Sequence, residues 1–254
     1  MTQPRLAQLH QSGAELGHAV VWDGTTWVAA PAATGMDVVG NFDDYFDLDT
    51  GDYDVEFDRA DTTSLPPGWS WVNQGASDYR EVGGRARLLA DGSGGSTSTE
   101  ECHRMLVRAI PSESSWTAVL KMPSLACFPY DYFRAGLVLR DSSGGGGYTT
   151  WGRRVTNNNL LTSMSFDNWS ALNTLATNYS TSYMADQQTF LRIKKNSGTS
   201  FDFASSADGV AWRGFWGGYD PTADGLTLDQ IGIFGSCPSG DYCTVGLDWF
   251  RVRT

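Results

Sequence analysis

Basic side chains are scarce in this sequence of 254 residues, which has 18 Lys and Arg against 29 Asp and Glu and a formal net charge of −11. Affinity for nucleic acids depends on basic side chains that neutralise phosphates, so we expect no nucleic-acid partner. Long apolar runs are absent, and the N-terminus lacks the charged, apolar and small-residue order of a signal peptide. We therefore expect synthesis in the cytoplasm without export and without insertion into a membrane.

Catalytic patterns are also missing. Retaining glucanases of the β-sandwich type carry an E-x-D-x-E or E-x-D-x-x-E strand, which holds two carboxylates about 5 Å apart. The nearest match is residues 52–58, whose carboxylates recur at every second position without forming that pattern. The three histidines, His10, His18 and His103, are scattered, and no G-x-S-x-G motif occurs. We expect no enzymatic activity.

Negative charge is concentrated in one segment. Residues 43–61 hold nine carboxylates and one Arg, a local net charge of −8, which leaves 20 acidic and 17 basic residues, or −3, elsewhere. Like charges at this spacing repel one another, so the segment needs solvent or a nearby cation. A solvated acidic linker and a Ca²⁺ site both fit this pattern.

Strand periodicity dominates the remaining sequence, and few stretches of ten residues show a helical spacing of apolar residues. Short runs with period two, such as residues 191–194, are bounded by turn clusters such as residues 91–95. Many short strands indicate an antiparallel sandwich or barrel. The predicted strands lie near residues 53–58, 69–73, 79–81, 85–90, 101–110, 115–122, 134–140, 147–155, 161–166, 189–195, 199–204, 210–216, 229–234 and 243–253.

The first 40 residues differ from the rest. Val20–Trp22 and Trp27–Ala29 flank the turn sequence at residues 23–26, which predicts a β-hairpin. An isolated hairpin is marginally stable in water, so we expect oligomerisation or docking to stabilise it. The sequence therefore predicts an N-terminal attachment arm at residues 1–40 and a β-sandwich domain at residues 41–254.

Four sequence blocks resemble, in the same order, the concanavalin A-like sandwich modules appended to bacterial glycosidases of the β-xylosidase type. They are SLPPGWSWVNQG at residues 64–75, FRAGLVLR at 133–140, SSADGVAW at 205–212 and GLDWFRV at 246–252. The resemblance implies an all-β fold, a concanavalin A-like jelly-roll sandwich. It also implies a structural Ca²⁺ held by carboxylates of the first and last strands, and the matching positions are Glu56 or Asp58 and Asp248.

The arm resembles a different family. Its W-D-G-T-T-W core, with Trp22, Asp23, Gly24 and Trp27, is similar to a connector element repeated in the head and tail fibres of bacteriophages. The resemblance implies an interleaved homotrimer whose arm attaches to other virion proteins. Together with a lectin-like sandwich, it implies a location on the virion surface, on the capsid or the tail.

The four cysteines form two candidate disulfides. Cys237 and Cys243 bracket a short loop, and Cys102 and Cys127 flank a predicted hairpin that would bring them nearly opposite each other. Zinc is not expected, because the spacing contains no C-x₂-C pair.

Aromatic residues near glycine-rich loops are the candidate sugar contacts, because sugar rings stack on exposed aromatic rings and hydrogen-bond to polar side chains. The candidates are Trp151, Arg153, Trp169, Trp216 and Tyr219, with Asn157 as a further polar contact. Packing on a sheet edge or on a partner subunit is the alternative for each ring.

These patterns predict a non-catalytic bacteriophage surface protein, on a head or tail fibre or as a capsid decoration, whose β-sandwich binds a host-surface glycan for adhesion. Two alternatives remain open. The chain is either a carbohydrate-binding module or glycoside hydrolase of a bacterial enzyme, or a purely structural capsid decoration protein.

Overall fold

The structure is a computed structural model, and it describes residues 20–22, 27–29, 54–57, 59–83, 85–93, 102–128, 133–143, 146–156, 161–171, 174–181, 188–238 and 240–254. The chain divides into two compact units, residues 1–49 and 50–254. The boundary expected after residue 40 lies nine residues before this division (49 − 40). No helix in the described ranges is long and apolar enough to cross a membrane.

The regular structure of the described residues consists of eighteen strands and one short 3-10 helix, Pro221–Asp224. The strands pair antiparallel throughout, which confirms the all-β prediction. They are β1 (Val20–Trp22), β2 (Trp27–Ala29), β3 (Ser70–Val72), β4 (Asp78–Glu81), β5 (Ala86–Asp91), β6 (Cys102–Ala109), β7 (Trp116–Lys121), β8 (Ser124–Phe128), β9 (Phe133–Arg140), β10 (Tyr148–Thr156), β11 (Leu161–Ala171), β12 (Thr174–Thr181), β13 (Phe190–Lys195), β14 (Phe201–Ser206), β15 (Arg213–Tyr219), β16 (Gln230–Cys237), β17 (Tyr242–Leu247) and β18 (Trp249–Arg253).

Three sheets build the sandwich. The seven-stranded sheet has the order β12-β11-β10-β9-β16-β6-β3, the five-stranded sheet β15-β14-β13-β7-β18, and the four-stranded sheet β4-β5-β17-β8. Sequential strands are often not neighbours, so the chain crosses repeatedly between sheets.

The main core joins side chains from all three sheets. Alternate residues of each strand face it, including Leu137 and Leu139 of β9, Ile193 of β13 and Phe250 of β18, which are all fully buried. Full burial of one such side chain stabilises the fold by roughly 1.5–3 kcal/mol.

A second hydrophobic cluster lies on the opposite face of the seven-stranded sheet. It contains Met105, Val107, Val138, Tyr148, Trp169 and Phe234. The intervening residues of β9 and β16, which do not face the main core, therefore also pack among apolar side chains.

The N-terminal hairpin is confirmed. Strands β1 and β2 pair antiparallel, and Trp22 lies directly opposite Trp27. Asp23 and Gly24 of the predicted turn lie outside the described residues.

Two strand predictions were wrong. The strand expected at residues 53–58 is reduced to an isolated bridge between Val55 and Phe250, because Phe57 adopts a left-handed φ of 49° and ends the extension. The strand expected at residues 243–253 is interrupted at Asp248, so its halves join different sheets as β17 and β18.

Candidate functional site

A polar cluster lies where β10, β11, β15 and the 3-10 helix meet. Tyr219 Oη donates to Asp224 Oδ2 at 3.0 Å, and Asn168 Nδ2 donates to the same oxygen at 2.6 Å. Thr149 Oγ1 donates to Asn168 Oδ1 at 2.9 Å and lies 3.2 Å from Tyr219 Oη. We call these four residues the Asp224 cluster.

The 3-10 helix positions Asp224. Its N-cap is Asp220, whose carboxylate accepts a hydrogen bond from Thr222 N at 3.0 Å. Its C-cap is Gly225, which has a left-handed φ of 72° that glycine adopts without steric cost. Asp224 is therefore the last helical residue and is exposed to solvent.

The strands position the other members of the cluster. Thr149 and Asn168 lie directly opposite each other on β10 and β11, and Tyr219 is the last residue of β15. All three are buried. Burial, and then the Asp224 carboxylate, raise the pKa of Tyr219 above its ordinary value, although the hydrogen bond with Thr149 offsets part of this. The phenol therefore stays protonated and donates to Asp224.

The arrangement leaves a hydrogen-bond acceptor at the surface. Among the described residues, both donors reach Asp224 Oδ2, and none reaches Asp224 Oδ1. A carboxylate oxygen accepts hydrogen bonds from hydroxyl groups, and such charge-assisted bonds are stronger than neutral ones. Trp216 lies three residues before Tyr219 on the same strand and is half-buried.

Two of the predicted sugar contacts lie in the interior instead. Trp151 is fully buried, its ring packs against Phe203, and its Nε1 donates to Ala204 O at 3.2 Å. A ring enclosed in this way has no face for a sugar, so Trp151 is a core residue. Arg153, two residues later on β10, is also buried. The prediction placed both near a loop, but β10 already begins at Tyr148.

The remaining predicted contacts are divided between two places. Trp169 is buried on the outer face of the seven-stranded sheet, where it stacks on Tyr148 with the ring centroids 5.7 Å apart. Trp216 stacks on Phe166 with the centroids 5.5 Å apart, next to Tyr219 of the Asp224 cluster. Asn157 lies outside the described residues.

The predicted calcium ligands Glu56 and Asp248 each form an ion pair within the chain. Arg251 Nη2 lies 2.6 Å from Glu56 Oε1, and Lys121 Nζ lies 2.5 Å from Asp248 Oδ2. The other predicted ligand, Asp58, lies outside the described residues, and the described ones contain no group of three or more His, Cys, Asp or Glu that could hold a metal ion. At Glu56 the neighbouring positive charge comes from the Arg251 guanidinium of the last strand, and calcium binding stays a prediction.

The strand register rearranges the predicted cysteine pairs. Cys102 lies directly opposite Cys237 on β6 and β16, and Cys127 lies directly opposite Cys243 on β8 and β17. The prediction assumed that the segments after Cys102 and before Cys127 form one hairpin. Strand β6 instead belongs to the seven-stranded sheet, whereas β8, which carries Cys127, belongs to the four-stranded one, so Cys102 and Cys127 lie in different sheets.

Three members of the Asp224 cluster were not predicted. Asn168 stands beside Trp169, which was predicted, and Asp224 precedes a glycine as many turn residues do. Asn168 and Asp224 are 56 residues apart in the chain, and no sequence spacing indicates that they meet.

No protein-family model matches the chain, and no curated protein matches it. Solved structures do match. The CBM2 module of the evolved Dit protein of Lactobacillus casei BL23 phage J-1 has 11% identity and a TM-score of 0.51, over 80% of this chain and 95% of that module. A functionally unknown protein from Saccharomyces cerevisiae has 14% identity and a TM-score of 0.51, over 74% of this chain and 96% of its own.

A bifunctional GH43-CE protein of Bacteroides eggerthii has 18% identity and a TM-score of 0.51, over 79% of this chain. This chain spans only 25% of that protein. At such identities the likeness shows the fold alone. The fold is a concanavalin A-like jelly-roll β-sandwich, as predicted.

Proposed function

We propose that the sandwich is a non-catalytic carbohydrate-binding domain and that the Asp224 cluster contacts the sugar. The observation that carries this proposal is the exposed Asp224 carboxylate, which is fixed by two donors on Oδ2 while Oδ1 faces none of the described donors. A fixed carboxylate accepts sugar hydroxyls at a low entropic cost. The phage Dit module of similar fold is described as a CBM2 module, which supports the same function here.

A glycan array followed by calorimetry on the strongest soluble oligosaccharide tests this site. Asp224→Asn keeps the size of the side chain but removes its charge, so we expect affinity to fall by roughly tenfold or more, since a hydrogen bond to a charged group contributes about 1.5–3 kcal/mol. The matched control is Asp220→Asn at the N-cap of the same 3-10 helix, which removes the same charge and keeps a residue that caps well.

The control protein should bind like the unmodified one. Equal losses in both variants would show a general charge effect and contradict the site. Absence of binding across the array, with the protein folded, would contradict carbohydrate binding altogether.

We also propose that a bacteriophage particle displays this domain through the N-terminal arm, as a homotrimer that contacts other virion proteins and adheres to a host glycan. The paired Trp22 and Trp27 of the β1–β2 hairpin support the fibre-type arm, and one similar structure comes from a phage protein. Many linked copies would raise avidity without new contacts.

Sedimentation should give a trimer that becomes a monomer when residues 1–40 are deleted. Antibody to the sandwich should label the capsid or tail, and unlabelled particles would contradict display.

The rival function is glycoside hydrolysis, because two similar structures come from GH43-containing proteins. Prolonged incubation with the oligosaccharide that binds best distinguishes the two. We expect no release of reducing ends, and release that Asp224→Asn abolishes would assign an enzyme.

A further inference from the structure

Cys102 and Cys237 face each other across neighbouring strands of the seven-stranded sheet. They are the last pair of an antiparallel ladder that begins with Ala109 opposite Gln230. Residues directly opposite in such a ladder have Cα atoms about 4.5–5.5 Å apart and side chains on the same face. A disulfide needs a Cα separation of about 4.4–6.8 Å, so the backbone already meets its requirement.

Both residues are buried, and their thiols donate weak hydrogen bonds to backbone carbonyls. Cys102 Sγ donates to Ser93 O at 3.5 Å, and Cys237 Sγ donates to Ala90 O at 3.4 Å. Thiols are weak donors, so replacing these contacts with a covalent bond costs little.

We propose that Cys102 and Cys237 form a cross-strand disulfide when the protein meets a disulfide oxidant such as oxidised glutathione. One cysteine thiolate attacks the glutathione disulfide, which forms a mixed disulfide and releases one glutathione thiolate. The second cysteine thiolate attacks the cysteine sulfur of the mixed disulfide and releases the other glutathione. The two cysteine protons end on the two glutathione thiols, so the cysteines are oxidised and glutathione is reduced.

Burial decides when this reaction occurs. The relative exposure of Cys102 is 2% and that of Cys237 is 0%, so glutathione does not reach either sulfur in the folded state. The bond therefore forms during folding or through local opening of the end of the β6–β16 ladder. Folding in a reducing compartment gives the dithiol form, and later oxidation gives a more stable one.

The cross-link should stabilise the fold strongly. It joins positions 135 residues apart (237 − 102), and cross-links across long loops restrict the unfolded chain most. For a domain of this size we expect oxidation to raise the thermal midpoint by on the order of 10 °C.

Peptide mapping tests the pairing directly. The protein is refolded in a glutathione redox buffer, its remaining thiols are alkylated, and it is digested with trypsin. Trypsin leaves Cys237 and Cys243 in one peptide, residues 214–251, so a protease that cuts before Asp241 is added. We expect residues 91–104 joined to residues 229–240. Alkylated Cys102, or Cys102 joined to Cys127 or Cys243, would overturn the proposal.

Two double variants test the consequence. The oxidant-dependent rise in thermal midpoint should vanish in Cys102→Ala/Cys237→Ala and persist in the control Cys127→Ala/Cys243→Ala, whose positions lie opposite each other in another sheet. Each protein is compared with its own reduced form, so the effect of the substitutions on core packing is the same in both forms and cancels in the difference. A rise that survives in the first variant and vanishes in the second would assign the stabilisation to Cys127 and Cys243 instead. These outcomes do not depend on glycan binding.

Discussion

The outer faces of the two larger sheets each carry an arginine–carboxylate ion pair, and the two pairs lie in different surroundings. On the seven-stranded sheet, Arg134 Nη1 lies 2.5 Å from Asp167 Oδ2, and the two side chains are 5% and 0% exposed. On the five-stranded sheet, Arg251 pairs with Glu56 at 2.6 Å, and the Glu56 side chain is 31% exposed. The two charges of the first pair are shielded from water, so each is stabilised mainly by the other. Water and dissolved ions also stabilise the charges of the second pair, which weakens their attraction to each other.

The arginine of each ion pair also lies beside a tryptophan ring. The guanidinium of Arg134 lies 5.7 Å from the Trp169 ring, and that of Arg251 lies 4.6 Å from the Trp249 ring. An arginine beside a tryptophan and a carboxylate is therefore a structural unit of this fold, found on both sheets. Such a combination does not mark a ligand site unless one of its groups is open to solvent.

The largest expected effect is at the buried pair. Asp167→Asn leaves the Arg134 charge buried without its carboxylate, so the free energy of unfolding should fall by about 3–5 kcal/mol in urea titration. The double variant Arg134→Met/Asp167→Leu removes both charges and should recover most of this loss. A loss below about 1 kcal/mol in the single variant would mean that both faces are equally solvated.

A smaller effect is expected at Glu56. Glu56→Gln should lower the free energy of unfolding by about 1 kcal/mol or less, because this carboxylate is partly solvated. The difference from the unmodified protein should shrink in about 1 M salt, which screens half-exposed pairs. A loss as large as that of Asp167→Asn, unaffected by salt, would remove the distinction between the two faces.

The smallest effect is expected at Arg192 on the five-stranded sheet. Its guanidinium lies 4.5 Å from the Trp212 ring, and both residues are half-buried. Arg192→Gln should lower the free energy of unfolding by about 0.5–1 kcal/mol, and Arg192→Lys by less, since lysine keeps the charge. Equal losses in the two variants would show that packing of the side chain, and not its charge, is responsible.

Much of the fold was predictable because alternation along a strand is local. The pattern of residues 133–140 and 190–195 indicates their strands directly. Strands β8 and β12 were missed, because Pro123 precedes the first and polar residues dominate the sequence TLATNYST of the second. Sheet membership depends on contacts between distant segments, which alternation does not contain.

The candidate site was predicted only in part for the same reason. Tyr219 was predicted because it is aromatic and has glycine neighbours, and it does belong to the Asp224 cluster. Trp151 also follows a glycine-rich stretch. Alternate residues of β10 face opposite sides of the sheet, however, and Trp151 lies on the side that faces the core. The face on which a residue lies can be predicted only when the start of the strand and its buried face are known.

The bridge between Val55 and Phe250 brings the first described residues of the sandwich beside its last strand. Asp54 Oδ2 reinforces it by accepting from Arg253 Nη1 at 2.6 Å. A domain whose two ends meet can be inserted into a surface loop of another protein, or have its ends joined and new ones opened elsewhere, without separating its sheets. The first described residues of the sandwich and its last strand are thus held together, and we expect a circularly permuted form of the sandwich to fold.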